Sequence, residues 1–389
     1  MNIKKNKLKS LLSIIISILV VTFNALIIAF PREMIAAAKE GITLSINNVV
    51  PSLLPFVIGT NILMGLGVIN FIGTLLGPLM LKIFNIPGIG GFAIITGMTS
   101  GYPMGSKVVS TIRESQEITK VQAQRLISFS NNSGPLFILG AVGLGMFKNP
   151  SVGYFIMIIH YTAALITGFL FRYYKRDKNE IHKLDNKNIL KKAYVSMKKA
   201  REKDGRNFGQ LLGDSIAGSM ISMLNIAGFI TIFCVLVAAV RIVIFPLLYT
   251  FNMSSDFSNN FILGLIEVTN GAKLIASENF TKASVLGVAS LISFGGFSIH
   301  AQSINFISKT DINIYIYILS KAIHSVITLI LGFLLFPFFR FSGDQVIEVF
   351  NIYNASAFDN FLFSSMIFIA SLTLVFILAL FASIKKRGF

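Results

Sequence analysis

The sequence predicts an all-α, polytopic membrane protein: two inverted-topology repeats of broken or re-entrant helices, with one extra helix at each terminus. Three observations carry that fold class. Mean hydropathy is +0.73, and 54% of residues are hydrophobic against 13% charged, whereas soluble domains carry roughly 25% charged residues. Residues 11–30, 41–81, 83–106, 126–147, 149–171, 215–240, 283–308 and 360–384 contain no Asp, Glu, Lys or Arg, and most reach the roughly 20 residues that cross a hydrocarbon core. The chain also repeats itself at a near-constant offset. Ile159-His160 recurs as Ile323-His324, Leu126-Ile127-Ser128-Phe129 as Leu291-Ile292-Ser293-Phe294, and Gly105-Ser106-Lys107 as Gly271-Ala272-Lys273. Internal duplication in a many-helix membrane protein is the signature of a transporter-type architecture, with a site where the repeats meet.

Lysines precede the first apolar run as in a signal peptide, but the run extends for about 20 residues without a small-residue cleavage site, so residues 1–33 read as a retained span. The net charge is +17, and more than half of the 34 basic residues fall in residues 4–9, 172–206 and 385–387. Charge confined to the flanks of spans obeys the positive-inside bias and excludes a nucleic-acid partner. With these flanks inside, both termini are cytoplasmic at the cell membrane. Each half then holds an even number of crossings, so repeats at 34–174 and 207–340 have odd crossing numbers and opposite orientation. Residues 341–389 form an external loop and a last span. The predicted outer segments 250–260 and 341–359 lack Lys and Arg but carry Asp256, Asp344, Glu348 and Asp359.

The run 41–81 is long enough for two crossings and is interrupted by Pro51, Pro55, Gly65, Gly67, Gly73 and Gly77; residues 215–255 divide in parallel at Arg241. One crossing plus a short interfacial or re-entrant piece is expected in each repeat. The linker 175–206 places Lys191, Lys192, Lys198 and Lys199 where a basic amphipathic surface helix lies against membrane lipid.

Candidate chemistry sits at the breaks. Ser100, Tyr102 and Lys107 belong to a polar, glycine- and proline-rich segment inside an apolar stretch; Asn131, Asn132 and Ser133 precede Gly134-Pro135. Irregular backbone at membrane depth persists only where it is buried in protein or lines a wet cavity. The second repeat offers Glu267, Asn270 and Lys273 on one arm and Ser298, His300 and Gln302 on the other, with Glu267 and Asn270 expected on one helix face, as are Ser298 and Gln302. Amides, hydroxyls, one carboxylate and ammonium groups suit a small polar solute. The competing reading makes the same groups interhelical packing devices, with Glu267 merely neutralised by Lys273 or Lys107. His160 and His324, at one repeat position, read as hydrogen-bonding core residues.

Cys234 is the only cysteine, so no disulfide or cysteine metal site is available. No G-x-S-x-G, H-E-x-x-H or Walker loop is present; no enzyme activity, cofactor or metal is expected.

At Ser100-Gly101-Tyr102-Pro103-Met104-Gly105-Ser106-Lys107, Phe129-Ser130-Asn131-Asn132-Ser133-Gly134-Pro135-Leu136-Phe137 and Phe294-Gly295-Gly296-Phe297-Ser298-Ile299-His300-Ala301-Gln302, the sequence resembles the YlbJ family of sporulation integral membrane proteins, part of the nucleoside-recognition or Gate-domain group. The resemblance spans nearly all of the chain after residue 40. It implies a polytopic protein of endospore-forming bacteria required for the spore envelope, with Gate modules similar to those of nucleoside transporters and ferrous-iron uptake proteins. Ser130 departs from the cysteine expected in many relatives. Three functions follow: a permease for a polar solute, nucleoside-like or an envelope metabolite; a non-transporting scaffold recruiting spore-assembly proteins through its basic loop; and an intramembrane enzyme using His300 and Glu267. Deleting residues 178–204 separates the first two, and the scaffold and permease are both compatible with a homo-oligomer.

Overall fold

The computed structural model describes residues 2–175, 188–250, 256–278, 280–339 and 341, and is all-helical throughout them. The loop with Asp344, Glu348 and Asp359, the span at 360–384 and the basic stretches 176–187 and 385–387 lie outside the described residues. Among the described residues four helices are long and apolar enough to cross a membrane, and two bent helix pairs raise the number to six.

The chain begins with α1 (Asn2–Ala29) and α2 (Pro31–Leu44). Pro31 starts α2 at the position where a missing N–H costs nothing, and the two helices meet at 104°. A π-helical turn at Ser45–Val49 leads into α3 (Val50–Gly65), and α4 (Val68–Phe84) follows at 81°. Gly67, at φ 75°, makes that bend. The prolines expected to interrupt this run do not end a helix: Pro51 lies in the first turn of α3 and Pro55 within it.

Two copies of one motif follow. The first comprises α5 (Gly90–Thr99), a break, α6 (Met104–Glu114), a turn, α7 (Lys120–Ser130), a second break, a π-helix (Leu136–Met146) and α8 (Pro150–Phe171). Between the copies lie α9 (Ile189–Asp204) and α10 (Phe208–Thr250). The second comprises α11 (Asp256–Ile266), a break, α12 (Val268–Ser277), a turn, α13 (Lys282–Phe294), a break at Gly295, α14 (Gly296–Ile307) and α15 (Ile314–Leu335). Equivalent positions carry equivalent caps: Thr119 and Thr281 each close a capping box at the start of α7 and α13, and Asn149 and Asn313 cap α8 and α15.

Packing between the copies is reciprocal. Helix α6 lies on α14 as α12 lies on the π-helix, α7 on α15 as α13 on α8, and α8 against α15 at the centre. At one end Arg113 grips Asp311 through two hydrogen bonds of 2.9 and 3.0 Å, and Gln124 pairs with the backbone of Asn313 in both directions. At the other end Phe147 meets Phe280, and Phe155 packs among Phe336, Phe339 and Phe341. Buried Arg125 ties the first end together, donating to the carbonyls of Asn85, Tyr174 and Lys175 at the exits of α4 and α8, which have no partners in their own helices.

The segment before each motif differs. Three helices, α2 to α4, precede the first, whereas α10 is one unbroken helix of 43 residues. The division expected at Arg241 is absent: the residue keeps an exposed side chain on a continuous helix, and neither a glycine nor a proline lies beside it to free the backbone. Apolar side chains on α10 and α15, among them Ile221, Leu224, Val326, Ile330 and Phe333, stay exposed, the surface that lipid covers.

Candidate functional site

The four breaks converge. Gly101, at φ 83°, turns the chain between α5 and α6 and lies against Gly134, while Gly97 and Gly105 flank the backbone of Ser130 so closely that neither tolerates a Cβ. In the second motif Gly295 and Gly296, at φ 95° and 64°, end α13 and start α14, and Gly296 abuts the α11–α12 break. Glycine permits these crossings because backbone must approach backbone there.

Asn131 joins the motifs. Its Oδ1 accepts from the Ser106 amide at 3.3 Å, and its Nδ2 donates to Ser303 and Tyr317 at 2.9 Å each. Asn132 donates to the Phe129 carbonyl, and the Ser133 amide donates to His160 Nε2 at 3.2 Å. That fixes the His160 tautomer: Nε2 accepts, so Nδ1 carries the hydrogen and donates to Ser293 Oγ at 2.8 Å. His324 donates from Nε2 to the His160 carbonyl at 2.9 Å, leaving Nδ1 as acceptor for Lys321 Nζ at 3.0 Å. The repeated histidines therefore touch each other across the two motifs, their ring centres 4.8 Å apart.

Lys321, which sequence reasoning missed, is 2% exposed. Its Nζ also donates to the Asn131 carbonyl at 2.6 Å and reaches Asn132 Oδ1 at 3.5 Å. The signal available in the sequence was a single lysine inside the otherwise uncharged stretch 312–339, three residues before His324.

Around this network several buried polar atoms have no partner. They are the hydroxyls of Ser100, Ser130 and Ser298 and both ring nitrogens of His300, while Tyr102 shares a hydrogen bond with Ser133 and Tyr317 one with Ser106. His300 stands edge-on to Phe294 and Tyr317, and Gln302 is buried on the same helix.

Four candidates sit elsewhere than expected. Glu267 is not on a helix face but occupies the break, where its carboxylate caps α12 by accepting from the Asn270 amide at 2.8 Å. Asn270 turns toward Cys234 of α10 at 3.6 Å, Lys107 donates to Ser222 of α10 at 3.2 Å, and Lys273 is exposed. Among the described residues no ion pair joins Glu267 to Lys107 or Lys273.

A separate open cavity of about 660 Å³ lies between α3, α4, α6, α9 and α10, lined by residues including Asn61, Asn70, Thr111, Glu117, Lys199 and Arg206. Arg206 there holds Asp204 at 2.7 Å and Asp214 at 3.0 Å.

Broken apolar helices around a buried polar crossing define a polytopic membrane protein of transporter-like build. Residues 46–170 match the Gate family model, described as nucleoside recognition. The chain is 34% identical over 351 residues to the sporulation integral membrane protein YlbJ of Bacillus subtilis (strain 168), covering 86% of this chain and 85% of that one. It belongs to the YlbJ family of sporulation integral membrane proteins. No solved structure matches it.

Proposed function

We propose that this protein is a permease for a small polar solute, nucleoside-like or an envelope metabolite, used in building the spore envelope. The observation that carries this reading is the concentration of unpartnered buried polar atoms at the meeting of the breaks: Ser100, Ser130, Ser298 and both ring nitrogens of His300. A buried polar group without a partner costs about 1–3 kcal/mol, and one such group is ordinary, but a cluster on facing helix tips is a surface made to be satisfied by something else. Hydroxyls and a neutral imidazole both donate and accept, which matches the hydroxyl- and ring-nitrogen-rich chemistry of a nucleoside. The family description, nucleoside recognition, and the sporulation role printed for the Bacillus relative point the same way.

The two motifs, within repeats at 34–174 and 207–340, act as inverted repeats in this reading. The turn between α6 and α7 lies at the end of the molecule that holds Asp311, whereas the turn between α12 and α13 lies at the opposite end beside Phe147. Each short-helix hairpin thus dips to the crossing from its own side. The end bearing Arg113, Arg125 and the α9 lysines faces the cytoplasm by the positive-inside bias.

The test is uptake of labelled nucleosides and other polar solutes into proteoliposomes holding the full chain, compared with His300→Phe and Ser298→Ala. Solute-specific uptake lost in both variants, with folding retained, is the expected result. Undiminished uptake in both removes the site.

A further inference from the structure

The side-chain nitrogen of Lys321 has an environment that the permease reading leaves unused. It lies inside α15, 2% exposed, and none of its bonded neighbours is a carboxylate. They are the Asn131 carbonyl at 2.6 Å, Asn132 Oδ1 at 3.5 Å and His324 Nδ1 at 3.0 Å. All three are acceptors. The first is a backbone carbonyl at a helix break, and the second is an amide oxygen facing the same point. His324 Nδ1 is an acceptor because Nε2 spends its hydrogen on the His160 carbonyl. A neutral amine offers two hydrogens and a lone pair, and that lone pair would face an acceptor; an ammonium offers three hydrogens to three acceptors.

Oxygen atoms freed by a broken membrane helix are the usual ligands of a coupling cation. Here the convergence point is filled by a cation that belongs to the chain. Resting on the reading of the breaks as a solute site, we propose that the Lys321 ammonium is a tethered monovalent cation: it takes the place of a bound alkali ion at the crossing of α7 and α15, so the site needs no sodium. A buried charge is tolerated only where it is well bonded, and this one stabilises the α7 break and links the two motifs across α15 through the same three bonds.

The test uses the purified full chain in detergent, with ions rather than solute as the probe, so it reads out whether or not the protein transports. Unfolding midpoints are measured in sodium chloride and in N-methylglucamine chloride at equal ionic strength. The wild type is expected to show the same midpoint in both. Lys321→Ala is expected to lose several degrees and to recover in a saturable way with sodium or with added ethylammonium, the missing end of the side chain. A wild type stabilised by sodium as much as the variant overturns the proposal, as does a variant that no small cation restores. If Lys321→Ala does not fold, Lys321→Arg decides, because a guanidinium stays charged in the protein. A Lys321→Arg midpoint equal in sodium and in N-methylglucamine supports the tethered cation, while one raised by sodium sinks the idea. Absence of uptake in proteoliposomes would fail the permease reading and leave these midpoints standing, whereas uptake that requires sodium would overturn the tethered cation alone.

Discussion

Substituting Gly97 by alanine tests whether the two helix breaks of the first motif are held by backbone contact. Gly97 in α5 and Gly105 in α6 both face the backbone at Ser130, and a Cβ on Gly97 would overlap the Ser130 carbonyl oxygen deep inside van der Waals contact. Neither partner is a side chain that can rotate away, so α5 and the end of α7 must separate. Forcing extra atoms into a packed interior costs about 1–3 kcal/mol, and a backbone-on-backbone clash belongs at the top of that range. At about 2 °C per kcal/mol for a chain of this size, Gly97→Ala lowers the unfolding midpoint by about 6 °C. Gly213→Ala on α10 is the control. Its Cβ meets nothing, and alanine in a helix interior gains about 0.5–1 kcal/mol over glycine, so its midpoint holds or rises. The protein has one cysteine, Cys234, and it is buried; a thiol-reactive dye therefore reports unfolding without further labelling. Equal midpoints for the two variants would refute the close-approach argument, and with it the claim that glycine is required where the tips cross.

Arg125→Met removes the guanidinium that serves the carbonyls of Asn85, Tyr174 and Lys175. Hydrogen bonds from charged groups contribute about 1.5–3 kcal/mol each when exchange with water is included, and the methionine stem keeps the packing, so the three lost bonds lead us to expect a loss of at least about 4 kcal/mol in the same dye assay. The Arg113–Asp311 pair is more exposed and is worth at most about 1 kcal/mol, and Arg113 also donates to the Ile118 carbonyl at 2.9 Å, worth about 1 kcal/mol or more; Arg113→Ala should shift the midpoint by about 4 °C, the ion-pair part of it less in high salt. The hydrogen bond from Arg113 holds the Asp311 carboxyl below its usual range. A depressed carboxylate stabilises the fold above its unfolded pKa of about 3.9 and loses that contribution as pH falls through the folded value. The ion-pair part of the difference between wild type and Arg113→Ala should therefore be constant near neutrality and vanish in strong acid. A difference that grows on acidification would contradict the pairing.

Glycine and proline made the breaks legible before any coordinates. The segments 100–107, 131–135 and 295–302 announced themselves because polar, helix-breaking residues stand out in apolar sequence, and three of the four breaks fall inside or against them. The fourth, at Glu267, was seen as a helix face because threefold and fourfold spacing is satisfied equally by a helix and by a cap with its first turn. The full burial of Arg125 is not legible in the sequence: its partners are carbonyls 40 to 50 residues away, and no side-chain pattern marks a carbonyl. Lys321 escaped for a related reason. In the sequence a lone lysine ends an uncharged run whether or not the fold encloses it. The exposure of Lys273 was equally hidden, since repeat equivalence with Lys107 says which residues correspond, not what each motif packs against.

The two ends of the molecule are closed by different physics, and that difference decides which can open. At the end bearing Arg113, the motifs are joined by an exposed ion pair and by amide-to-backbone bonds between Gln124 and Asn313. Water can replace all of these at a cost near zero to 1 kcal/mol apiece. At the opposite end Phe147 and Phe280 meet, and Phe155 contacts Phe336, Phe339 and Phe341; parting those rings exposes apolar area at about 25 cal/mol per Å². Phe155 is 1% exposed whereas Phe280 is 51% exposed, so the cost rests mainly on Phe155, a buried aromatic of about 150–250 Å², and amounts to a few kcal/mol. Two motifs that pivot on the α8–α15 contact, where His160 and His324 touch, must then yield first at the polar end. Under the permease reading proposed above, the easier exit is therefore the one on the side where the lysines of α9 gather.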